Sequence, residues 1–317
     1  MKLSIVLTVY NKEGFLDKAF QALLNQSGAT SEDYEILAVN DGSTDGSAAI
    51  LDRYAQQDSR IRILTQQNQG LSMARNNGTD EAKGRYVWYV DADDTISTNA
   101  VHVICKAIDS NPDVIPIYAQ TDGIDFTRNA VIPDAKTGKD VLTGGHWEQC
   151  GVFWILKSEF LKKNNLRFMP GVYHEDSEFT PRMLYAAKSV KVIPEILYTV
   201  YRVPDSITQI PRAKRAFDLL VVSESLSEFV IANKENRTPI GRSIDRFTAQ
   251  YINEAFDVIS QNSQEEQVRL NSEFYKRRKV LLRVLRDAPK QKYKMEAFLF
   301  MLSPKHYVWV YKKLKGR

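Results

Sequence analysis

Short apolar runs alternate with helical patterns from residue 3 onwards, and this alternation constrains the fold more than any other feature. The runs "LSIVLTV" (3–9) and "EILAVN" (35–40) are rich in β-branched and aliphatic residues and end in turn-forming residues, as buried strands do. Between them, apolar residues recur at helix spacing: Phe15, Leu16, Ala19, Phe20, Leu23 and Leu24. This order predicts a βαβ unit.

The same alternation continues over the next 80 residues or so. Strands are predicted at "RIRIL" (60–64), "RYVWYV" (85–90) and "DVIPIY" (113–118), and helices over about 44–57, 70–82 and 98–109. Strands joined by helical crossovers form a mostly parallel, Rossmann-like sheet flanked by helices. The predicted fold class is therefore α/β, and such sheets bind ligands at the carboxyl ends of their strands.

The pattern changes twice further along the chain. Residues 146–180 are rich in aromatic residues and glycine, and we expect a less regular region laid against the open edge of the sheet. Beyond residue 210, apolar residues recur only at helix spacing. The sequence therefore predicts one domain over 1–210 and a basic helical extension over 211–317.

Composition excludes several classes of protein. The 43% hydrophobic and 26% charged content is typical of a soluble globular chain, and no apolar run approaches the roughly 20 residues of a membrane span. The N-terminal "LSIVLTVY" is too short, and too soon followed by "NKE", to be a signal peptide. Cys105 and Cys150 do not make a disulfide framework, which indicates a cytoplasmic protein.

The net charge of +4 is unevenly distributed along the chain. Residues 267–317 contain 15 Lys or Arg and 3 acids, so the other 266 residues have a net charge of −8. Basic helices with aromatic and aliphatic faces suit an anionic bilayer surface, which indicates a peripheral position at the inner face of the cytoplasmic membrane. A helical bundle with a solvated basic face is an equal alternative. Nucleic-acid binding is disfavoured because the acidic body would oppose it and no binding motif accompanies the charge.

Carboxylates follow two of the predicted strands. The strand at 85–90 ends in "DADD", which places Asp91, Asp93 and Asp94 side by side, and the strand at 35–40 is followed by Asp41 in "NDGSTDGS". Clustered carboxylates repel one another unless a cation neutralises them, and Mg²⁺ or Mn²⁺ prefers such oxygen ligands while leaving room for substrate phosphates. The alternative is a solvated turn, because Asp is a common turn residue.

Five segments in order resemble the motifs of the family-2 inverting glycosyltransferases with the GT-A fold. They are "SIVLTVYN", "VNDGSTDGS", "NQGLSMARNNG", "YVDADD" and "HEDSEF", and the resemblance covers roughly residues 1–205. It implies a nucleotide-sugar half at about 1–115 and an acceptor half at about 116–210. The implied reaction moves a hexose or N-acetylhexosamine from a nucleotide-sugar, and a UDP-sugar is the favoured donor. The implied acceptor is a saccharide or lipid-linked saccharide in cell-surface polysaccharide synthesis.

The resemblance also implies roles for residues of the donor site. Thr8 and Tyr10 would hold the nucleotide base, Asp41 would hydrogen-bond the uracil, and Arg75 would lie near the base. Asp91 and Asp93 would form the DxD pair that bridges ribose, the Mn²⁺ or Mg²⁺ cofactor and the diphosphate. The neighbouring Asp94 is expected to cap the next helix instead of touching metal.

Inverting transfer needs a base that takes the proton of the acceptor hydroxyl, and the resemblance implies Asp176 in this role with Glu175 beside it. His174 is a competing base or metal ligand, although we favour a role in lining the acceptor pocket or in satisfying a neighbouring carboxylate. Arg202, shortly before "SIT", would meet the diphosphate, while Pro204 and Asp205 depart from the family pattern.

Aromatic residues of the acceptor half have two alternative roles. Trp154 is a candidate for stacking on a sugar, together with Trp147 and Phe153, and buried packing is the alternative for all three.

Two other functions were weighed against this one. A nucleotidyltransferase usually has a glycine-rich phosphate loop after the first strand, whereas "TVYNKEGF" holds a single glycine. A catalytically silent nucleotide-binding scaffold would be expected to lose its acids, yet Asp41, Asp91, Asp93 and Asp176 all remain.

Overall fold

The structure is a computed structural model, and it describes residues 1–144, 146–202 and 213–302. These residues divide into two compact units. The first holds residues 1–171 and 182–202, and the second holds residues 172–181 and 213–302. The predicted domain boundary at 210 lies outside the described residues and stays a prediction.

The first unit alternates strands and helices in the predicted order. Its strands are β1 (Leu3–Val9), β2 (Tyr34–Asp41), β3 (Ile61–Gln66), β4 (Tyr86–Asp91), β5 (Thr95–Ile96), β6 (Val114–Thr121), β7 (Ile124–Arg128), β8 (Trp154–Lys157) and β9 (Ile193–Val200). Its helices are α1 (Glu13–Leu24), α2 (Ser47–Gln57), α3 (Leu71–Glu81), α4 (Ala100–Ile108), α5 (Gly138–Gly144) and α6 (Ser158–Lys163), with a 3-10 turn at Gly151–Phe153. Helix α7 (Glu175–Ala186) contains the division between the units.

The strands form one sheet in the order β3-β2-β1-β4-β8-β6-β9-β5, with β7 paired to β6. Strands β1, β2, β3 and β4 pair parallel with one another. Every residue of β1 and β2 is buried, as expected of central parallel strands covered on both faces. The predicted crossovers are therefore confirmed for the first half of the sheet.

Strand β8 differs from the prediction for residues 146–180. Instead of lying against an open edge, it is inserted within the sheet and pairs antiparallel with both β4 and β6. Its four residues, "WILK", are too few for a periodic signal. Burial between two strands therefore decided a position that local sequence did not indicate.

Helix α3 crosses β1 closely enough to require a glycine. A Cβ on Gly78 would lie 2.5 Å from a methyl carbon of Val6 and 3.1 Å from one of Val39. Such contacts are too short for any side chain, so the missing Cβ lets the helix approach the sheet. This approach brings the buried face of α3, which includes Arg75, against the strands.

After its part of α7, the second unit consists of helices and their connections. This confirms the predicted helical extension within 213–302. Its helices are α8 (Ala213–Ala232), α9 (Pro239–Ile259), α10 (Gln264–Lys276), α11 (Arg278–Asp287) and α12 (Gln291–Leu302). Arg283 of α11 donates to both oxygens of Asp245 of α9 at 2.9 and 2.8 Å, and both side chains are buried. Within the three described ranges, no helix combines the length and apolarity needed to cross a bilayer.

Candidate active site

The carboxyl ends of three neighbouring strands meet at one edge of the sheet. Strand β1 lies between β2 and β4, and Thr8 is the register partner of Asp91 across the parallel β1–β4 pair. The Thr8 hydroxyl donates a hydrogen bond to Asp91 Oδ1 at 3.2 Å. Parallel pairing thus brings together two site residues that are 83 positions apart in sequence.

Asp91 is paired with a buried arginine. Arg75 Nη2 lies 3.1 Å from Asp91 Oδ1 and 3.4 Å from Oδ2. The Arg75 side chain is only 3% exposed, and its guanidinium carbon lies 5.3 Å from the centroid of the Phe168 ring. Aromatic packing and the carboxylate together compensate the charge of this cation. Arg75 therefore contacts Asp91. Its role near the base remains a prediction.

Asp93 is paired with a cation that had no predicted role. Lys12 Nζ lies 2.5 Å from Asp93 Oδ2, and the two side chains are 28% and 21% exposed. Lys12 lies between β1 and α1, and its backbone N–H donates to Ser47 Oγ at 2.9 Å. In the sequence, this contact was indicated by no more than a lysine in the "YNKEG" segment, two residues after Tyr10.

Asp94 has a structural role, but it is not a helix cap. Its Oδ2 accepts from the Tyr198 hydroxyl at 2.8 Å and its Oδ1 from the Tyr201 backbone N–H at 2.8 Å. Burial, with help from the nearby Asp91 charge, raises the pKa of Asp94 to about 7. The N-cap of α4 is Asn99, so the expectation that Asp94 caps this helix was wrong. The acid instead joins the "DADD" turn to the end of β9.

Asp41 is buried at the end of β2 and accepts three hydrogen bonds. Its Oδ1 accepts from Gln66 Nε2 and from the Gln69 backbone N–H, both at 2.8 Å, and its Oδ2 accepts from the Gly70 N–H at 2.8 Å. These bonds hold the backbone just before α3. The carboxylate therefore shapes the turn that precedes α3, and its contact with uracil stays a prediction.

Two further predicted donor-site residues lie at the surface of the first unit. Tyr10 is 47% exposed directly after β1, so its ring is open to a ligand. Arg202 is exposed beyond the end of β9. Pro204 and Asp205, which depart from the family pattern, lie outside the described residues.

Trp154 does not present a face to a sugar. It opens β8 and is 0% exposed, and Phe153 and Trp147 are also buried. The prediction that Trp154 contacts the acceptor by stacking was therefore wrong, and the buried packing weighed as the alternative is what the structure shows. The physical reason is the insertion of β8 between two strands, which encloses the residues on either side of it.

The second unit carries the predicted acidic pair at the start of α7. Glu175 is 6% exposed, whereas Asp176 is partly exposed and its Oδ1 accepts from the Ser177 backbone N–H at 2.8 Å. Acids in the first turn of a helix are stabilised by the helix dipole. This arrangement leaves part of Asp176 accessible to solvent.

His174 precedes this pair and is held as a neutral ring. Arg215 Nε donates to His174 Nε2 at 3.1 Å, which requires an unprotonated acceptor nitrogen. Burial and the Arg215 charge lower the pKa of His174 to about 4. Its lone pair is therefore already engaged by a cation, which disfavours His174 as a base.

Asp91 and Asp93 are suited by their chemistry to a hard divalent cation. Both supply carboxylate oxygens, both are partly exposed, and Mg²⁺ or Mn²⁺ typically takes one or two carboxylates together with water and substrate phosphates. Over the residues that the structure describes, no group of three or more His, Cys, Asp or Glu side chains is arranged to hold a metal. Asp91 and Asp93 would leave the remaining coordination positions to water and a substrate phosphate.

Acids and cations thus gather at the carboxyl ends of the strands, next to an exposed tyrosine, where α/β sheets bind their ligands. Residues 4–164 match the family model "Glycosyl transferase family 2". This chain belongs to glycosyl transferase family 2.

Individual relatives agree with this assignment. The chain is 33% identical over 66% of its length to the glycosyltransferase EpsJ of Bacillus subtilis, of which the match covers 63%. It is 29% identical over 62% of its length to the poly(ribitol-phosphate) beta-glucosyltransferase of Bacillus spizizenii, covering 32% of that protein. The chain thus spans less than two thirds of the length of these relatives.

A solved structure has the same fold. Residues 1–349 of TarS from S. aureus, in complex with UDP-GlcNAc, superpose with a TM-score of 0.76 at 18% identity, covering 100% of this chain and 93% of that one. This likeness and the family match confirm the predicted GT-A type α/β fold.

Proposed function

We propose that this protein is an inverting, metal-dependent glycosyltransferase. It transfers a hexose or N-acetylhexosamine from a UDP-sugar to a saccharide or lipid-linked saccharide acceptor during cell-surface polysaccharide synthesis. The observation that carries the proposal is the pair Asp91 and Asp93, held at the strand ends of a family-2 fold with one cation beside each carboxylate. The polymer acceptor of the Bacillus spizizenii relative supports the acceptor class.

The donor site of this proposal uses residues of the first unit. Tyr10, with its exposed ring, stacks on the base, and Thr8 completes that pocket beside Asp91. Asp41 orders the turn before α3 and hydrogen-bonds the uracil, with Arg75 near the base. The UDP-GlcNAc complex of TarS supports a UDP-sugar as the donor.

The metal cofactor, Mn²⁺ or Mg²⁺, is held in this proposal by Asp91 and Asp93. When bound, such an ion stabilises the negative charge that develops on a departing diphosphate. The buried Arg75 keeps Asp91 in a fixed orientation, and Arg202 adds a second cation for the diphosphate. Preorganised charges of this kind favour the separation of the leaving group.

Asp176 is the base of the proposed reaction. A carboxylate oxygen of Asp176 takes the proton of the acceptor hydroxyl while the hydroxyl oxygen attacks the anomeric carbon. Glu175 supports this side chain or contacts the acceptor. His174 is the weaker candidate because its Nε2 already accepts from Arg215, so its place is in the wall of the acceptor pocket.

The test compares two variants that separate chemistry from donor binding. Asp176→Asn is expected to lose turnover by about 10²- to 10⁴-fold, because a proton acceptor is missing, while UDP binding persists. Asp93→Ala is expected to weaken UDP binding in Mn²⁺ and to leave UDP binding in a chelator unchanged. Glu265→Gln, an exposed first-turn acid of α10, is the matched control.

The readouts are sugar release from a panel of nucleotide-sugars and the melting temperature with UDP, GDP or CMP. Near-normal turnover in Asp176→Asn would remove the base. Stabilisation by UDP that is independent of metal would contradict the metal site. Stabilisation without turnover toward any donor would favour the silent scaffold, and release of diphosphate from a nucleoside triphosphate would favour a nucleotidyltransferase.

We further propose that the protein is cytoplasmic and attaches to the inner face of the cytoplasmic membrane through α12. Met295, Phe298 and Met301 are 59%, 59% and 66% exposed and recur every three residues, so they share one face of this helix. The opposite face is also apolar and is buried, so the exposed apolar side chains form a second face that is open to an interaction. Exposed lysines at the start of the helix match the charge of an anionic bilayer: Lys290, Lys292 and Lys294.

Vesicle sedimentation tests this surface. The protein should sediment with vesicles that contain phosphatidylglycerol and much less with pure phosphatidylcholine. Phe298→Glu should reduce the bound fraction at least about five-fold, because it places a charge where an apolar side chain enters the interface. Val268→Glu, at a residue of α10 that is 66% exposed, should behave as wild type. Equal partitioning of wild type and Phe298→Glu would refute the assignment.

A further inference from the structure

The carboxylates of Asp91 and Asp93 each lie beside a positively charged side chain of the same protein. Asp91 has Arg75 at 3.1 Å and Asp93 has Lys12 at 2.5 Å. The like charges of the "DADD" turn are therefore already compensated before any ion binds. The neutralising cation expected from the sequence was a divalent ion, whereas the structure places two side chains of the chain in this role.

The two cations differ in how easily they can leave. Arg75 is 3% exposed, lies on helix α3 and packs against Phe168 and Tyr89, so moving it would require repacking. Lys12 is 28% exposed, and its ammonium group sits on a flexible four-carbon chain that can turn into solvent. A cation that approaches the site can therefore displace Lys12 but not Arg75.

We propose that Lys12 is the resident counter-ion of Asp93 and that the divalent metal binds by exchanging with it. The inference rests on the proposed metal-dependent function of the same site. A metal ion must approach a carboxylate oxygen to about 2.1 Å, and the lysine ammonium already lies 2.5 Å from Asp93 Oδ2. Both cations at one carboxylate would repel each other strongly in this partly buried place. The anchored Lys12 backbone keeps the ammonium within reach, so it returns to Asp93 when the metal leaves.

The exchange lowers the affinity of the protein for free metal. When the binding-competent state is only a fraction of the population, the apparent dissociation constant rises by the inverse of that fraction. A partly exposed ion pair of this kind raises the apparent dissociation constant by a factor of up to about five. Removing the ammonium should therefore lower the dissociation constant for Mn²⁺ about five-fold.

Direct titration of Mn²⁺ measures this, with free ion followed by electron paramagnetic resonance in the presence and absence of UDP. Lys12→Met should bind Mn²⁺ about five-fold more tightly than wild type, and Lys12→Arg, which keeps the charge, should not. Lys162→Met, at an exposed lysine of α6, is the matched control and should bind as wild type. Thermal unfolding of each variant verifies that it is folded, and Lys12→Gln provides a second neutral variant.

The outcomes separate this inference from the proposed function. Unchanged or weaker Mn²⁺ binding in both Lys12→Met and Lys12→Gln, with binding lost in Asp93→Ala, overturns the exchange and leaves the metal site in place. No measurable Mn²⁺ binding by wild type or any variant, with or without UDP, overturns both. Tighter Mn²⁺ binding in Lys12→Met and Lys12→Gln, but not in Lys12→Arg or Lys162→Met, supports the exchange.

Discussion

Asp91 and Asp93 look equivalent in sequence, but their removal should have different effects on stability. Asp91→Ala takes the carboxylate away from Arg75, whose side chain is 3% exposed. Removing one member of a buried ion pair costs about 3–5 kcal/mol, and because Asp91 itself is 30% exposed we expect the lower end, about 3 kcal/mol. Asp93→Ala leaves Lys12, which is 28% exposed and can turn to water, so the cost should be at most about 1 kcal/mol.

Urea unfolding at pH 7 with a chelator present measures this difference, with intrinsic tryptophan fluorescence as the probe. The free energy of unfolding should fall about 2 kcal/mol further in Asp91→Ala than in Asp93→Ala, by the difference between those two costs. The double variant Asp91→Ala/Arg75→Met should recover part of the loss, since the buried guanidinium that faced Asp91 is then gone. Equal losses in the two single variants, or a larger loss in Asp93→Ala, would refute the reasoning from burial.

Two further predictions concern the second unit. The pKa of His174 is lowered from 6.5 to about 4, so between these values the unfolded chain binds a proton that the folded protein does not. The free energy of unfolding should therefore have its full value above pH 6.5 and fall by up to about 3 kcal/mol towards pH 4. Urea unfolding at several pH values should show a smaller dependence of the free energy of unfolding on pH in His174→Gln than in wild type. The same pH dependence in both proteins would contradict the lowered pKa of His174. Asp245→Ala should lower stability by about 3–5 kcal/mol because it leaves buried Arg283 unpaired; a loss below about 1 kcal/mol in denaturant unfolding would show that the pair contributes little.

Local sequence was enough to predict the elements and the acids that follow them. The alternation of buried strands and amphipathic helices predicted β1 to β4 with their crossovers, because burial on both faces and helix periodicity both leave local patterns. The carboxyl-end rule then directed attention to Asp41, Asp91 and Asp93, and the structure indeed brings Asp91 together with Thr8 and Arg75. Chain order and residue type were sufficient for these residues.

Contacts between distant segments depended on tertiary structure. The four residues of β8 have no periodic signal, and only their pairing with β4 and β6 placed them inside the sheet and buried Trp154. The partner of Asp93 is Lys12, 81 residues away, and no local pattern distinguishes this lysine from any other. Periodicity reports which residues are buried, whereas the choice of neighbour depends on strand register and packing between segments far apart in sequence. Thus the sequence by itself determined the elements and the acids of the site, and the tertiary structure decided which cation stands beside each acid.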